Sequence, residues 1–283
     1  MYCFYIKSYD YGARLAGIRW FEKYWKPINY LGYRDIDHFK SSNVDKRIIF
    51  VVGDSFIAGY GIENCKDRMS DLLQHKLSEK YVVINIAKNG WGTMDEYNAI
   101  LSHPFKPNII ILSHCINDLE GTCNRLGFKF TFPKLWENTF IRYFVKRSYL
   151  LNFIYWKVYE LLYADLGERY WEYLQLCYSN TEAWDIHKEE ILGIINYSKK
   201  VDADLIVIVF PELRRIQMSK EFTSKTVDFF NSQEVKVIDL ANILLGRALD
   251  ELIVHRGDGH PSVKLNEEIS DRLFYMISAK EKR

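Results

Sequence analysis

Five short runs of β-branched and aliphatic residues punctuate the chain: Arg47–Val52 (RIIFVV), Tyr81–Ile86 (YVVINI), Asn108–Leu112 (NIIIL), Leu205–Phe210 (LIVIVF) and Val235–Leu240 (VKVIDL). Most are apolar without alternation, the pattern of strands covered on both faces. Between them the apolar positions recur with helical period over Asp67–Leu77, Thr93–Leu101, Ile186–Ser198 and Val263–Ile277. Strand-helix alternation of this kind predicts an α/β fold, a five-stranded parallel sheet between two layers of helices. Thr93 with Glu96 three residues later reads as a capping box, and Pro104 and Pro107 close that helix before the third strand.

The third and fourth runs lie more than ninety residues apart. One crossover helix needs far fewer, so a helical insertion between strands 3 and 4, at about 120–184, is expected. Residues 1–45 read as an N-terminal extension to a main domain at 46–283, and the extension carries a turn-like piece, Asn29–Asp35 (NYLGYRD). Within the insertion, Phe140–Leu166 is apolar around most of a helix, broken by Arg142, Lys146, Arg147 and Lys157. Three readings stay open for it: a buried cap on the body, since a helix apolar all round is normally covered; an aromatic lid over a substrate site; or contact with a membrane surface, because basic and aromatic residues interleave.

Composition narrows the classes. With 38 Lys+Arg against 37 Asp+Glu in 283 residues, the formal net charge is +1. No global electrostatic argument therefore points to nucleic acid, and a small-molecule or glycan ester substrate is the expectation. The cysteines, Cys3, Cys65, Cys115, Cys123 and Cys177, form an odd set without a C-x-x-C pair, which argues against a disulfide framework and a cysteine-rich zinc site. Met1–Lys7 lacks the pattern of a secretory leader. The chain reads as soluble and cytoplasmic, or as periplasmic or secreted if a leader has been removed.

In an open parallel sheet, ligands bind where the strands' carboxyl ends release their loops. Following the runs, the polar and glycine-rich segments there are Gly53-Asp54-Ser55-Phe56, Lys88-Asn89-Gly90-Trp91-Gly92, Asn117-Asp118 and, after the last, Asp258-Gly259-His260. A serine hydroxyl needs a base within hydrogen-bond reach to act as a nucleophile, and His260 is the candidate for Ser55. The backbone N–H groups of Ser55 and Gly90 and the Asn117 amide are candidate oxyanion donors. Plainer readings exist for each: Ser55 as a helix N-cap, Asn117 as a turn residue, Gly90 as a turn glycine. Asp54 and Asp118 are expected to brace their loops, and His114 to be a core or solvated histidine rather than a metal ligand. Gly53, Gly59 and Gly61 lack the Gly-Lys-Ser/Thr of a phosphate loop, which argues against nucleotide binding.

These blocks, in VVGDSFIAGYGI, NIAKNGWGT, SHCINDLEG and RGDGHPS, resemble in order the Ser, Gly, Asn and His blocks of the SGNH hydrolase superfamily, the GDSL-like lipases and esterases. The resemblance covers roughly Asn29–Ala279 apart from the insertion, and the Asn29–Asp35 piece is similar to one that often precedes the domain in bacterial members. It implies a flavodoxin-like three-layer sandwich and a serine ester hydrolase, working through an acyl-serine intermediate without metal or organic cofactor. O-acyl groups on glycans or small esters are the implied substrates. The same residues would serve an O-acyltransferase, and a non-catalytic carbohydrate-binding protein of the same fold is the rival class. Two departures stand out: Cys115 where the third block usually has glycine, and Gly257 three residues before the histidine where the family commonly has Asp. Asp258, two before, is the candidate acid.

Overall fold

In the computed structural model, residues 14–38, 46–133 and 138–281 are described; Met1–Lys7 and Cys3 lie outside them. Five strands, β1 (Arg47–Gly53), β2 (Tyr81–Ala87), β3 (Ile109–Cys115), β4 (Asp204–Phe210) and β5 (Lys236–Asp239), pair in parallel in the order β2-β1-β3-β4-β5. The expected runs match these strands to within a few residues at each end. The chain winds outward in one direction from β1 to β2 and in the other from β3 to β5. The loops after β1 and β3 therefore part at the switch point, where such sheets open a crevice.

The unalternating strands are explained by the two cores. Along β1, Ile49 and Val51 enter one core and Phe50 and Val52 the other, all fully buried. The first core is completed by Leu73 and Leu77 of α3 (Met69–Leu77) and by Leu265, Ile269 and Leu273 of the last described helix (Val263–Glu281). The second takes Ala99 and Ile100 of α4 (Thr93–Ser102) and Ile191, Ile194 and Ile195 of α9 (Thr181–Lys200).

The start of α4 differs from the expected capping box. Gly92 is the cap, and its N–H is taken by the Asp95 carboxylate at 3.2 Å. Glu96 instead turns inward and is buried. A cap one residue earlier moves the third position of the helix to Asp95, which frees Glu96 for the interior.

Between β3 and α9 lie a 3-10 turn (Ile116–Leu119) and the helices α5 (Glu120–Arg125), α6 (Thr139–Val145), α7 (Tyr149–Leu162) and α8 (Leu166–Ser179). The aromatic residues of α8 (Trp171, Tyr173, Tyr178) pack with Leu119, Cys123, Trp184 and Phe222 into a third core. The stretch Phe140–Leu166 does not behave as a buried cap. It breaks at Lys146–Ser148, where the Ser148 hydroxyl accepts from the Leu151 N–H and starts α7. Among the described residues only one side of α7 (Asn152, Tyr155, Trp156, Tyr159) is covered, its three aromatics forming a small core with Val145. The covered side meets α6 and the segment Arg14–Leu15, where the Arg14 guanidinium lies 4.9 Å over the Trp156 ring.

His114 is a core residue. Its Nε2 lies 3.0 Å from Nε2 of His187 on α9, and burial holds both rings below the usual histidine range. Among the described residues no group of three His, Cys, Asp or Glu could hold a metal ion. No helix among them is long and apolar enough to cross a membrane.

Candidate active site

Ser55 opens α2 (Ser55–Ala58), two residues past the end of β1. The cap of that helix is Asp54, whose Oδ1 accepts from the Phe56 N–H at 2.9 Å. The plain reading of Ser55 as an N-cap therefore fails, and its hydroxyl is released for another partner. That partner is His260: Nε2 stands 2.9 Å from Ser55 Oγ.

His260 reaches this position from a small antiparallel hairpin, β6 (Ile253–His255) and β7 (Asp258–Pro261), rather than from the loop of a main-sheet strand. Residues two apart in an extended strand face the same side. The two-residue spacing thus sets Asp258 beneath the imidazole, with Oδ1 in a short contact with Nδ1 and also accepting the His260 N–H at 3.2 Å. Gly257 stands in the turn, donating its N–H to His255 Nδ1 at 3.1 Å. A proton on Nδ1, shared with the Asp258 carboxylate, leaves the Nε2 lone pair facing Ser55. Asp258 is 5% exposed, and its other oxygen is buried without a hydrogen-bond partner among the described residues.

The remaining predicted residues converge on the same rim. The Asn117 amide, in the turn after β3, donates to Asp54 Oδ2 at 3.3 Å, and Ser55 Oγ lies 3.4 Å from the same oxygen. The β1–β2 register pairs Gly53 with Ala87, so the Gly90 turn emerges beside the Ser55 turn. Gly90 adopts φ +75°, a conformation glycine enters without strain, and nothing lies within 4 Å of where its Cβ would be. Gly92 packs on the Asp118 carbonyl, where a Cβ would approach to 3.0 Å, which joins the second loop to the third.

Cys115 ends β3 and is buried. Its side chain belongs to the first core, with the sulfur 3.7 Å from Asp54 Oδ1 and from Ser113 Oγ. Burial and the Asp54 carboxylate push the thiol well above its ordinary range, so it remains protonated and donates to Asp54. Asp118 braces the same turn by accepting the Cys115 N–H at 2.9 Å. Burial, reinforced by neighbouring carboxylates, raises Asp118 and Glu96 well above the usual carboxyl range.

Sequence reasoning missed an aromatic wall around the base. The Tyr60 ring stacks on His260 with centroids 4.4 Å apart, and Phe56 meets both His260 and Phe210 edge-on at 5.2 Å. Trp20, on α1 (Leu15–Tyr24), stacks on the far side of the cluster against Tyr60 at 5.7 Å. Phe56 and Tyr60 sit inside the serine block itself, so their closeness to Ser55 was the available signal. A second omission lies after β4, where Arg214 pairs with Glu212 at 2.8 Å and rests on Gly259. That loop follows a strand end, the place the topology marks for inspection.

The Asn29–Asp35 piece ties α1 to the serine helix. Arg34 is buried and donates to the carbonyls of Gly59 (2.6 Å), Ile62 (2.7 Å) and Tyr24 (2.8 Å). Burial and the neighbouring Arg68 lower the Arg34 guanidinium to about 10. Asp35 accepts the Asn85 N–H of β2 at 2.9 Å. Gly59 is required here, since a Cβ would lie 2.4 Å from the Arg68 side chain.

A hydrogen-bonded line of serine, histidine and aspartate at the switch point of a parallel sheet defines a serine esterase of the α/β class. Residues 51–148 match the model of the GDSL-like lipase/acylhydrolase family. Over that segment the chain is similar to the GDSL-like, or SGNH, hydrolases. The fold is similar to that of the lipase Lip_vut3 from a goat rumen metagenome (16% identity, 81% of this chain and 96% of that one, TM-score 0.50). Other solved structures resembling it include the psychrotrophic esterase EstA from Pseudoalteromonas sp. (15% identity, 84% and 100%, TM-score 0.48). A third is the lipase/acylhydrolase from Enterococcus faecalis (17% identity, 83% and 96%, TM-score 0.45). No curated protein matches the chain in sequence.

Proposed function

We propose that the chain hydrolyses an ester in two steps through an acyl group carried on Ser55. His260 Nε2 takes the Ser55 proton as Oγ attacks the carbonyl carbon, and returns it to the departing alcohol. Water then enters, loses a proton to the same nitrogen, and attacks the acyl-serine; Ser55 leaves with the proton. Asp258 holds the imidazole in the productive tautomer and offsets its positive charge. The Ser55 and Gly90 N–H groups and the Asn117 amide receive the oxyanion, a service worth about 2.7–4 kcal/mol per donor in a studied serine protease. The observation that carries this reading is the 2.9 Å approach of His260 Nε2 to Ser55 Oγ with Asp258 behind it.

Small O-acyl groups on a glycan or a related alcohol are the substrates we favour. The Phe56, Tyr60 and Phe210 rings beside His260 suit an acyl chain or the apolar face of a sugar. A fluorophosphonate probe tests the chemistry. Labelling of the native chain and not of Ser55→Ala is expected; no labelling where a control esterase is inactivated supports a non-catalytic carbohydrate-binding role. A panel of p-nitrophenyl esters beside acetylated sugars then reads acyl size. Acyl transfer to an added sugar exceeding release to water would reassign the chain as an O-acyltransferase.

A further inference from the structure

The outer side of the α6–α7 hairpin inverts the ordinary arrangement of a surface helix, which turns polar residues to water. On α7, Leu150 (66% exposed), Phe153, Ile154 and Leu161 (78%) recur at helical spacing on the uncovered side, interrupted by Lys157. On α6, Phe140 (70%) and Tyr143 continue the apolar surface. A contiguous apolar patch of this kind marks an interaction site rather than scattered surface hydrophobics.

Charge selects the occupant. Residues 139–162 hold four basic side chains, Arg142, Lys146, Arg147 and Lys157, and one acidic, Glu160, in a chain whose formal net charge is only +1. Glu160 is already engaged, 2.7 Å from Arg14 and 2.8 Å from Lys157. A further exposed cation comes from α1, where the Arg19 guanidinium lies 4.4 Å over the Tyr149 ring. An apolar face bordered by cations of one sign complements an anionic lipid surface. A second copy of this chain docking face to face would instead bring the basic borders together.

We propose that the outer face of α6 and α7 docks on an anionic bilayer surface, with Leu150, Ile154 and Leu161 entering the acyl boundary and Arg147 and Arg19 among the headgroups. The hairpin lies on the surface; neither helix spans it. The docked hairpin is one helix from the site, since Leu15 of α1 donates to Asn152 of α7 at 3.0 Å while Trp20 of the same helix backs Tyr60. Binding does not depend on the esterase reading.

Vesicle flotation of the full chain tests it, with phosphatidylcholine alone and with phosphatidylcholine mixed with phosphatidylglycerol, at low and high salt, beside size-exclusion chromatography with light scattering. Expected is at least about tenfold stronger partition onto the mixed vesicles, weakened by salt. A Leu150→Ser/Ile154→Ser/Leu161→Ser variant should lose partition while keeping the parent's melting temperature and esterase rate. Failure to float with either vesicle, equal partition onto both, unchanged partition of the triple variant, or a parent dimer that the triple variant dissolves would each overturn the proposal.

Discussion

The Tyr60 ring lies nearly parallel to the His260 imidazole, 24° between planes at 4.4 Å, and Trp20 backs it from a helix of the N-terminal extension. The base is thus held from two sides, by Asp258 at Nδ1 and by an aromatic face. Stacking of this kind is worth about 0.5–1.5 kcal/mol. Tyr60→Ala should therefore lower kcat by about 2- to 13-fold with little change in KM, and Tyr60→Phe should restore the rate. Parent-like kcat in the alanine variant would show that the stack fills space without orienting the base.

Asp258→Asn leaves the volume at that position almost unchanged but cannot stabilise the imidazolium. A fall in kcat of several orders of magnitude is expected, up to about 10⁴-fold by the precedent of a studied triad, with the melting temperature kept within a few degrees. Activity within a few-fold of the parent would pass the orienting role to a backbone group.

Arg34 satisfies carbonyls on both α1 and the loop after α2, all away from water. Lysine keeps the charge but cannot fork to three acceptors. Each buried acceptor left unpaired costs about 1–3 kcal/mol, so Arg34→Lys should lower denaturation midpoints clearly, and lower kcat as well because the Tyr60 loop loses its anchor. Unchanged stability would mean that water or Arg68 replaces the guanidinium.

Glu96 and Asp118 are raised by burial and by neighbouring carboxylates, so between the unfolded and folded titration ranges the folded chain holds more protons. Parent stability should then fall as pH rises above the unfolded carboxyl value of about 4.3, by at most about 1.4 kcal/mol per pH unit for each group. Glu96→Gln removes one such group, and its advantage in melting temperature over the parent should grow with pH; a constant difference would refute the assignment. The buried His114–His187 pair acts with the opposite sign, because its lowered values mean fewer protons in the folded state. Its stability contribution is present above the unfolded histidine value of about 6.5 and is lost as pH falls below it.

The sequence by itself determined the parallel sheet and its order of blocks, because strands buried on both faces must be apolar throughout and because loops at strand ends carry Ser55, Gly90 and Asn117 whatever the rest of the chain does. Asp258 beside His260 was legible as a candidate, and the pleat explains it: an extended backbone brings residues two apart to one side. What only the tertiary structure decided were contacts across long separations. Cys115 under Asp54, Tyr60 on His260, and Arg34 in the carbonyls of a distant loop leave no local period to read. The α6–α7 hairpin is the sharpest case. Apolar content alone predicts burial, but which side of a helix is covered depends on how many neighbours the fold supplies, and among the described residues it supplies too few. The Ser55–His260 line that completes the site spans most of the chain, joined only when β7 folds back over the end of β1.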